Sequence, residues 1–322
     1  MIKAYAAEGG RLRAMEDPFG RLGNAVWIDL AAPSAEEEAA VESALGLDIP
    51  TREEMEAIEV SSRLYYEGDA AFMTVTLPAQ ADRDDVQMAP VTFVLAGERL
   101  VTVRYHEPRA FQAYPQRTEK SPLASTRPQA VLMGLLEAVI ERLADVLERA
   151  ARDIDGISRD VFQSTAASGK ARDFQRILEE IGRKGDLLSN IRDSLMTLER
   201  LFGFLGQVVP PRGGDPAVRT RLKSLARDGR SLIDHAAFLA QKNTFLLDAT
   251  LGMINIEQNA IIKIFSVAAV VFLPPTLIAS IYGMNFTQMP ELGWPFGYPL
   301  ALVMMVASAV LPFWYFKRRR WL

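Results

Sequence analysis

The pattern of hydrophobic and polar positions changes twice along the chain. In the first part, short apolar or alternating runs separated by turn residues are typical of strands. They lie at residues 25–30, 71–77, 91–96 and 99–104. Ser34 with Glu37, and Thr51 with Glu54, have the spacing of capping boxes, which predict the starts of two helices. Residues 1–125 are therefore expected to form an α/β domain.

Helical patterns replace the strand patterns after Pro128. The predicted helices cover residues 131–163, 172–205 and about 217–282. The last of them is interrupted only by Pro274-Pro275 and would be roughly 100 Å long. A helix of that length needs neighbours from its own chain or from identical chains. Residues 126–260 are expected to form a helical stalk or funnel.

Two apolar stretches, Ile264–Ile281 and Tyr298–Phe316, end the chain. Each has the length that an α-helix needs to cross a hydrocarbon core of about 30 Å. Lys263 precedes the first stretch and Lys317–Arg320 follows the second, whereas the loop between them carries only Glu291. Because positive residues stay on the cytoplasmic side, both termini are predicted to be cytosolic and the loop external. The predicted membrane domain, residues 261–322, divides into a first span at about 261–282, an external loop at 283–297, a second span at about 298–316 and a basic tail at 317–322.

Composition narrows the classes of function. The net charge is −4, and residues 261–322 hold five basic residues and one acidic residue, so residues 1–260 carry −8. An acidic cytosolic part argues against nucleic acid as a partner. The absence of cysteine and the presence of only two histidines exclude thiolate zinc sites and cysteine nucleophiles. No nucleophile–base set or phosphate-binding motif occurs, so neither an enzyme nor an organic cofactor is predicted.

One face of the long predicted helix carries nearly all of its small and polar residues. We call this face the polar line; its members are Asp248, Gly252, Asn255, Asn259, Ile262, Ser266, Ala269, Leu273, Thr276, Ser280 and Gly283. Steps of three and four residues follow one side of a helix. Inside a membrane, such a line must face protein or water. The small residues alone slightly favour close packing of two helices, whereas Asn259, Thr276 and Asn285 favour a pore shared by several copies.

The residues around the end of the first span resemble a known family. Tyr282-Gly283-Met284-Asn285 is similar to the signature of the CorA magnesium transporters. The similarity extends to Ile-Asn-Ile-Glu-Gln-Asn at 254–259, Phe-Leu-Pro-Pro-Thr-Leu at 272–277, Met-Pro-Glu-Leu at 289–292, Tyr-Phe-Lys at 315–317 and the terminal Trp321-Leu322. Ala-Val-Trp-Ile-Asp-Leu at 25–30 also resembles the proteobacterial CorA-like branch.

The resemblance implies a fold, an assembly and an activity. The fold would be an α/β cytosolic domain, a long helical funnel and two C-terminal transmembrane helices. Five identical chains would form a channel-like uptake transporter in the bacterial inner membrane. Hydrated Mg²⁺ would pass down the membrane potential, with Co²⁺ and Ni²⁺ as secondary substrates. Intracellular Mg²⁺ would close the channel, so that Mg²⁺ is both transported and regulatory.

The resemblance also implies roles for single positions. The external mouth, which selects the ion, would consist of Tyr282, Gly283, Met284, Asn285 and Glu291. The pore lining and gate would consist of Asn259, Ile262, Phe265, Ser266, Leu273 and Thr276. The funnel would contribute Asp248 and Asn255. The resemblance does not place the regulatory Mg²⁺ sensor. The candidates in the sequence are the acidic cluster Asp82, Asp84 and Asp85, together with Asp228 and Asp234 on the long helix, and solvated surface charge is the alternative for each of them.

Two other functions remain open at this point. A ZntB-like zinc transporter of the same superfamily would share the fold and the topology. The residues Tyr282–Phe286 and Met289–Leu292 favour the magnesium branch over the zinc branch. A membrane-tethered cytosolic scaffold would use the two apolar helices only as an anchor, and replacing Asn285 or Asn259 would then change nothing.

Overall fold

The computed structural model describes the chain except residues 17–18, 58, 81–85, 121–125, 164–172, 209–214, 286–288 and 320–322. The described residues divide into two units, Met1–Leu247 and Asp248–Leu322. We call them the N-terminal unit and the C-terminal unit. One helix begins in the first unit and ends in the second.

Seven strands of the N-terminal unit form one mixed sheet. They are β1 (Ile2–Glu8), β2 (Arg11–Ala14), β3 (Trp27–Ala31), β4 (Leu64–Glu67), β5 (Ala70–Ala79), β6 (Gln87–Ala96) and β7 (Arg99–Arg104). Their order is β2-β1-β3-β7-β6-β5-β4, in which β3 and β7 pair in parallel and the other neighbours are antiparallel. The four strands predicted from the sequence correspond to β3, β5, β6 and β7. The prediction missed β1, which is rich in alanine, and the short β2 and β4 at the sheet edges.

Among the described residues, eight α-helices lie between and after the strands. They are α1 (Ala35–Leu45), α2 (Arg52–Glu56), α3 (Val60–Arg63), α4 (Arg109–Lys120), α5 (Pro128–Gln163), α6 (Phe174–Val208), α7 (Pro216–Tyr282) and α8 (Gly297–Arg318). The capping boxes at Ser34 and Thr51 are both formed, which confirms the predicted starts of α1 and α2. The predicted long helix is α7, with 67 residues and both Pro274 and Pro275 inside it. This order of elements confirms the predicted fold class.

Helices cover both faces of the sheet. On one face, Ile28 and Leu30 of β3 belong to a buried cluster with Val41 of α1 and Met55 of α2. On the other face, Trp27 stacks on Tyr5 and meets the ring of Tyr114 of α4 edge-on, with centroid distances of 4.5 and 6.0 Å. The helix α6 packs along β5, where the amide of Thr76 donates to the hydroxyl of Thr197 at 3.1 Å. The sheet therefore has a core on each side.

A buried ion pair joins the parallel strands β3 and β7. Arg104, which is 1% exposed, donates to both carboxylate oxygens of Asp29 at 3.1 and 2.8 Å. Thr102 donates to the same carboxylate at 2.8 Å, and Trp27 donates to Thr102 at 3.1 Å. The pKa of Arg104 is raised: burial disfavours its charge, but the hydrogen bonds and negative charges of Asp29 and Glu107 together outweigh this effect. Because every charge has partners, the network can stay buried.

Candidate functional site

In the part of the chain that the structure describes, two helices, α7 and α8, contain windows that are long and apolar enough to cross a membrane. Only 6% of each window is buried within the chain, whereas the core helix of a soluble protein would be mostly buried. The 22 residues of α8 span about 33 Å, which matches a hydrocarbon core. Exposed Trp294 and Tyr298 lie at one end of α8, and exposed Trp314 and Tyr315 at the other, as expected at the two interfaces of a bilayer.

Every member of the polar line is exposed in the single chain. Ile262 and Leu273 are 60% and 65% exposed, and Phe265, next to the line, is 72% exposed. The buried or half-buried positions of the apolar part of α7 follow a different side of the helix, and they include Val267, Val271, Ile278 and Tyr282. Within the described part of the C-terminal unit, the polar line from Asp248 to Gly283 is therefore open to lipid, water or another chain.

Pro274 and Pro275 change the backbone of α7 without ending it. Proline has no N–H, so the carbonyls of Val270 and Val271 lose the donors that a regular helix would give them. One residue further on, the hydroxyl of Thr276 donates to the carbonyl of Phe272 at 2.7 Å. The oxygen of Thr276 keeps its lone pairs as acceptors. This part of the helix thus offers neutral oxygen atoms in an otherwise apolar segment.

The end of α7 is closed by Gly283. Its amide donates to the carbonyl of Ala279 at 2.9 Å, and the amide of Met284 donates to that of Ile281 at 3.3 Å. A Cβ atom at position 283 would lie 3.0 Å from the Ala279 oxygen, which is tighter than an ordinary contact. Asn285 follows two residues after Gly283 and is exposed. Because glycine has no Cβ atom to crowd the Ala279 carbonyl, the chain can turn tightly at the end of α7. This turn places Asn285 at the end of the helix. Glu291 lies further along, in the short 3-10 helix Pro290–Gly293.

The acidic residues proposed as regulatory sites are not gathered within the described part of one chain. Asp228 and Asp234 are exposed on α7, and their separation of six residues places them on different sides of the helix. No group of three metal-ligating side chains forms among the described residues. Asp82, Asp84 and Asp85 lie outside the described residues.

Sequence reasoning missed the ion pairs between α7 and the two preceding helices. They are Arg221–Glu137 at 2.6 Å, Arg230–Glu199 at 3.0 Å and Lys242–Asp155. The hydrogen bond from Lys242 holds the pKa of Asp155 below its usual range. These partners are far apart in sequence, so no periodic pattern could have indicated them. They attach the N-terminal part of α7 to its own subunit.

Asn243 makes a further contact between α7 and α6. It is 7% exposed, and its amide group donates to the carbonyl of Ile181 at 3.0 Å. The neighbouring Gly185 of α6 leaves room for it, since a Cβ atom there would lie 3.3 Å from the Asn243 nitrogen. This polar contact sets the register between the two helices.

Comparison with known proteins identifies the family. The model of the CorA-like Mg²⁺ transporter protein family matches residues 23–318. The magnesium transport proteins CorA of Pasteurella multocida and Escherichia coli K12 are 40% and 38% identical to this chain, and each alignment covers 100% of both sequences. The solved structure of the CorA magnesium transporter of Methanocaldococcus jannaschii has the same fold, with a TM-score of 0.77, 20% identity and coverage of 100% of this chain and 99% of that one. The chain belongs to the CorA-like Mg²⁺ transporter family.

Proposed function

We propose that this protein is a channel-like transporter that takes up hydrated Mg²⁺ through a pore lined by α7. The observation that carries the proposal is the exposed polar line, which leads to Gly283 and Asn285 at the end of the helix. Family membership and full-length similarity to proteins named as magnesium transporters support the choice of ion. Co²⁺ and Ni²⁺ are proposed as secondary substrates because their hydrated ions are of similar size.

Several identical chains must surround the pore. One chain supplies two apolar helices, which cannot enclose an aqueous path. If the polar lines of several copies face a shared axis, their small and polar residues meet water while the apolar side chains on the other faces meet lipid or α8. The proposed assembly is a homopentamer in the bacterial inner membrane, with both termini cytosolic and the loop after Gly283 external.

The proposed pore suits a strongly hydrated divalent cation. Mg²⁺ gives up its waters reluctantly. Amide and carbonyl oxygens at Gly283–Asn285 can accept hydrogen bonds from the water shell without removing it. Between Asn259 and Asn285, α7 and the residues after it contain no His, Cys or carboxylate that would hold a transition metal tightly. A divalent ion that enters a negative interior gains about 4.6 kcal/mol per 100 mV, so transport needs no nucleotide.

A constriction and an ion sensor are proposed to control the pore. Ile262 and Phe265 would form an apolar neck that excludes water until it widens. Asp248 and Asn255 would lie in the funnel below it. Asp228 and Asp234, together with the cluster at Asp82, Asp84 and Asp85, are the candidates for binding intracellular Mg²⁺ between subunits and so closing the pore.

The test is ion flux into proteoliposomes that hold the purified full-length protein under an inside-negative potential. Asn285→Ala removes the proposed mouth, and Gln116→Ala removes an exposed amide of α4 as the matched control. We expect Mg²⁺ entry that scales with the potential, is lost in Asn285→Ala and is unchanged in Gln116→Ala. Parallel measurements with Zn²⁺, Co²⁺ and Ni²⁺ define the ion preference.

Two outcomes would contradict the proposal. Zinc entry without magnesium entry, particularly if it follows a proton gradient, would assign the protein to zinc transport. The absence of flux for every ion, in a protein shown to be folded and oligomeric, would leave the membrane-tethered scaffold as the better account.

A further inference from the structure

The C-terminal end of α8 combines two blocks of side chains. Four aromatic residues at 313–316, Phe-Trp-Tyr-Phe, are followed by four basic residues at 317–320, Lys-Arg-Arg-Arg. Each basic residue therefore stands four positions after an aromatic one, a spacing that within a helix places the two side chains on the same side, one turn apart. The chain is described as far as Arg319, and α8 itself ends at Arg318.

The two described arginines of this block lie over aromatic rings. The guanidinium carbon of Arg318 is 5.4 Å from the ring centroid of Trp314, and that of Arg319 is 5.8 Å from the centroid of Tyr315. Both distances are within the range of cation–π contacts. Trp314 and Tyr315 are 57% and 53% exposed, and both arginines are exposed. The pairs are therefore presented to the surroundings of the helix.

The positive charge at this end has no counter-charge on its own helix. Residues 297–318 contain no aspartate or glutamate, and Glu291 is the one acidic residue of the sequence after Glu257. A cation–π contact uses the flat face of the guanidinium, so the N–H groups at its edge stay available. That edge is the part of arginine that binds a phosphate through two parallel hydrogen bonds.

We propose that this end of α8 is a binding site for the headgroups of anionic phospholipids, with Arg318 and Arg319 holding the phosphate and Trp314 and Tyr315 lying at the level of the ester groups. The inference rests on the proposed function only in that α8 crosses a membrane. Aromatic rings prefer the interface, and four residues advance the helix by about 6 Å. The guanidinium groups then reach from the level of the rings to the level of the phosphates.

A simpler role for these basic side chains predicts a different preference between lysine and arginine. Basic residues after a span also fix its orientation and interact favourably with the C-terminal end of a helix dipole. Both effects need positive charge alone, so lysine would serve as well as arginine. A site built from guanidinium edges and aromatic faces instead prefers arginine, because lysine is a compact point charge that binds phosphate without the planar fork.

The experiment uses the full-length protein in nanodiscs that contain a minority of phosphatidylglycerol in phosphatidylcholine. Native mass spectrometry counts the lipids of each kind that stay bound when the protein is released. The variants are R318Q/R319Q, R318K/R319K and, as the control, R13Q/R52Q, which removes two exposed arginines of the N-terminal unit. We expect enrichment of phosphatidylglycerol in the wild type and the control, a loss of roughly fivefold per arginine in the glutamine variant and a partial loss in the lysine variant.

Three results would overturn the site. They are equal enrichment in R318Q/R319Q and the wild type, full enrichment in R318K/R319K, and release of the bound phosphatidylglycerol by inorganic phosphate, which would indicate a general anion site. The same spectra report the oligomeric state, so a misfolded variant is recognised. Mg²⁺ flux measured on the same preparations separates the two proposals, because lipid enrichment without flux refutes only the transport function and flux without enrichment refutes only the lipid site.

Discussion

The two units of this protein differ in how far the chain covers its own large apolar side chains. In the N-terminal unit the chain's own helices cover both faces of the sheet, and Trp27, Leu30 and Phe72 are fully buried. In the C-terminal unit, large apolar side chains such as Phe265 and Phe272 are 72% and 70% exposed. The N-terminal unit therefore depends on contacts within one chain, whereas the apolar surface of the C-terminal unit is open to lipid and, in the proposed assembly, to further copies. Substitutions inside the first should change its stability, and substitutions in the second should act according to the face they occupy.

The strongest way to break the N-terminal unit is to remove one partner of its buried ion pair. Asp29→Ala removes the buried carboxylate and leaves Arg104 charged and buried, with the half-exposed Glu107 still 2.9 Å away. Breaking a buried pair in this way typically costs about 3–5 kcal/mol. We expect the free energy of unfolding of the N-terminal unit to fall by that amount, measured by pulse proteolysis in urea.

The control for this prediction is an ion pair on the surface of the same unit. The side chains of Arg52 and Glu56 are 63% and 54% exposed. Arg52→Ala should lower the free energy of unfolding by about 1 kcal/mol or less. If both variants lost the same free energy of unfolding, the buried Asp29–Arg104 pair would contribute no more to stability than an exposed pair.

A tight contact between α4 and α5 offers a second way to disturb the same unit. A Cβ atom at Gly134 would lie 2.4 Å from the ring of Tyr114, which is buried and cannot move aside cheaply. Gly134→Ala should destabilise the unit by about 1–3 kcal/mol. Gly182→Ala is the matched control, because a Cβ atom at that position of α6 meets nothing within 4 Å. It should be neutral or stabilising by up to about 1 kcal/mol, and a loss as large as that of Gly134→Ala would contradict the explanation.

Two isoleucines of α7 test whether the faces of the C-terminal unit differ in function. Ile262 and Ile264 are 60% and 66% exposed and lie about 200° apart around the helix. Ile262→Ser places a hydroxyl in the proposed neck and should raise Mg²⁺ flux several-fold at the internal Mg²⁺ levels that are proposed to close the wild type. Ile264→Ser, on the opposite face, should leave flux per folded protein unchanged. Equal changes in flux would mean that the polar line does not define the pore.

The smallest expected effect is a pH dependence of the free energy of unfolding of the N-terminal unit. Burial lowers the pKa of His106, whose Nε2 is 2.8 Å from the carbonyl oxygen of Leu77. When the pH falls below about 6.5, the unfolded chain binds a proton that the native ring resists, so stability decreases. Between pH 6.5 and 5.5 this contribution amounts to at most about 1.4 kcal/mol. His106→Gln should show a correspondingly smaller decrease in the free energy of unfolding over that interval, and an identical decrease would exclude His106 as its source.

The extent to which the sequence predicted this structure follows from the range of the interactions involved. The capping boxes of α1 and α2, the two spans and the long α7 depend on residues within a few positions of each other, and all appear as predicted. The edge strands β2 and β4 have four residues each, too few to give a clear alternation, and their pairing partners fix them instead. The roles of Asn285, Thr276 and the other site residues stay predictions for the flux measurements.

The sequence by itself determined the membrane helices, their charge asymmetry, the polar line and the family resemblance. Each of these features depends on neighbouring residues or on a helical period. Only the tertiary structure decided that Arg104 pairs with Asp29, 75 residues away, and that Tyr114 fits against Gly134. It also decided that the described residues of the C-terminal unit leave the polar line exposed. Such contacts arise when distant segments meet, and burial in a close-packed interior then selects their partners. No local periodic pattern in the sequence indicates which distant residues will pair.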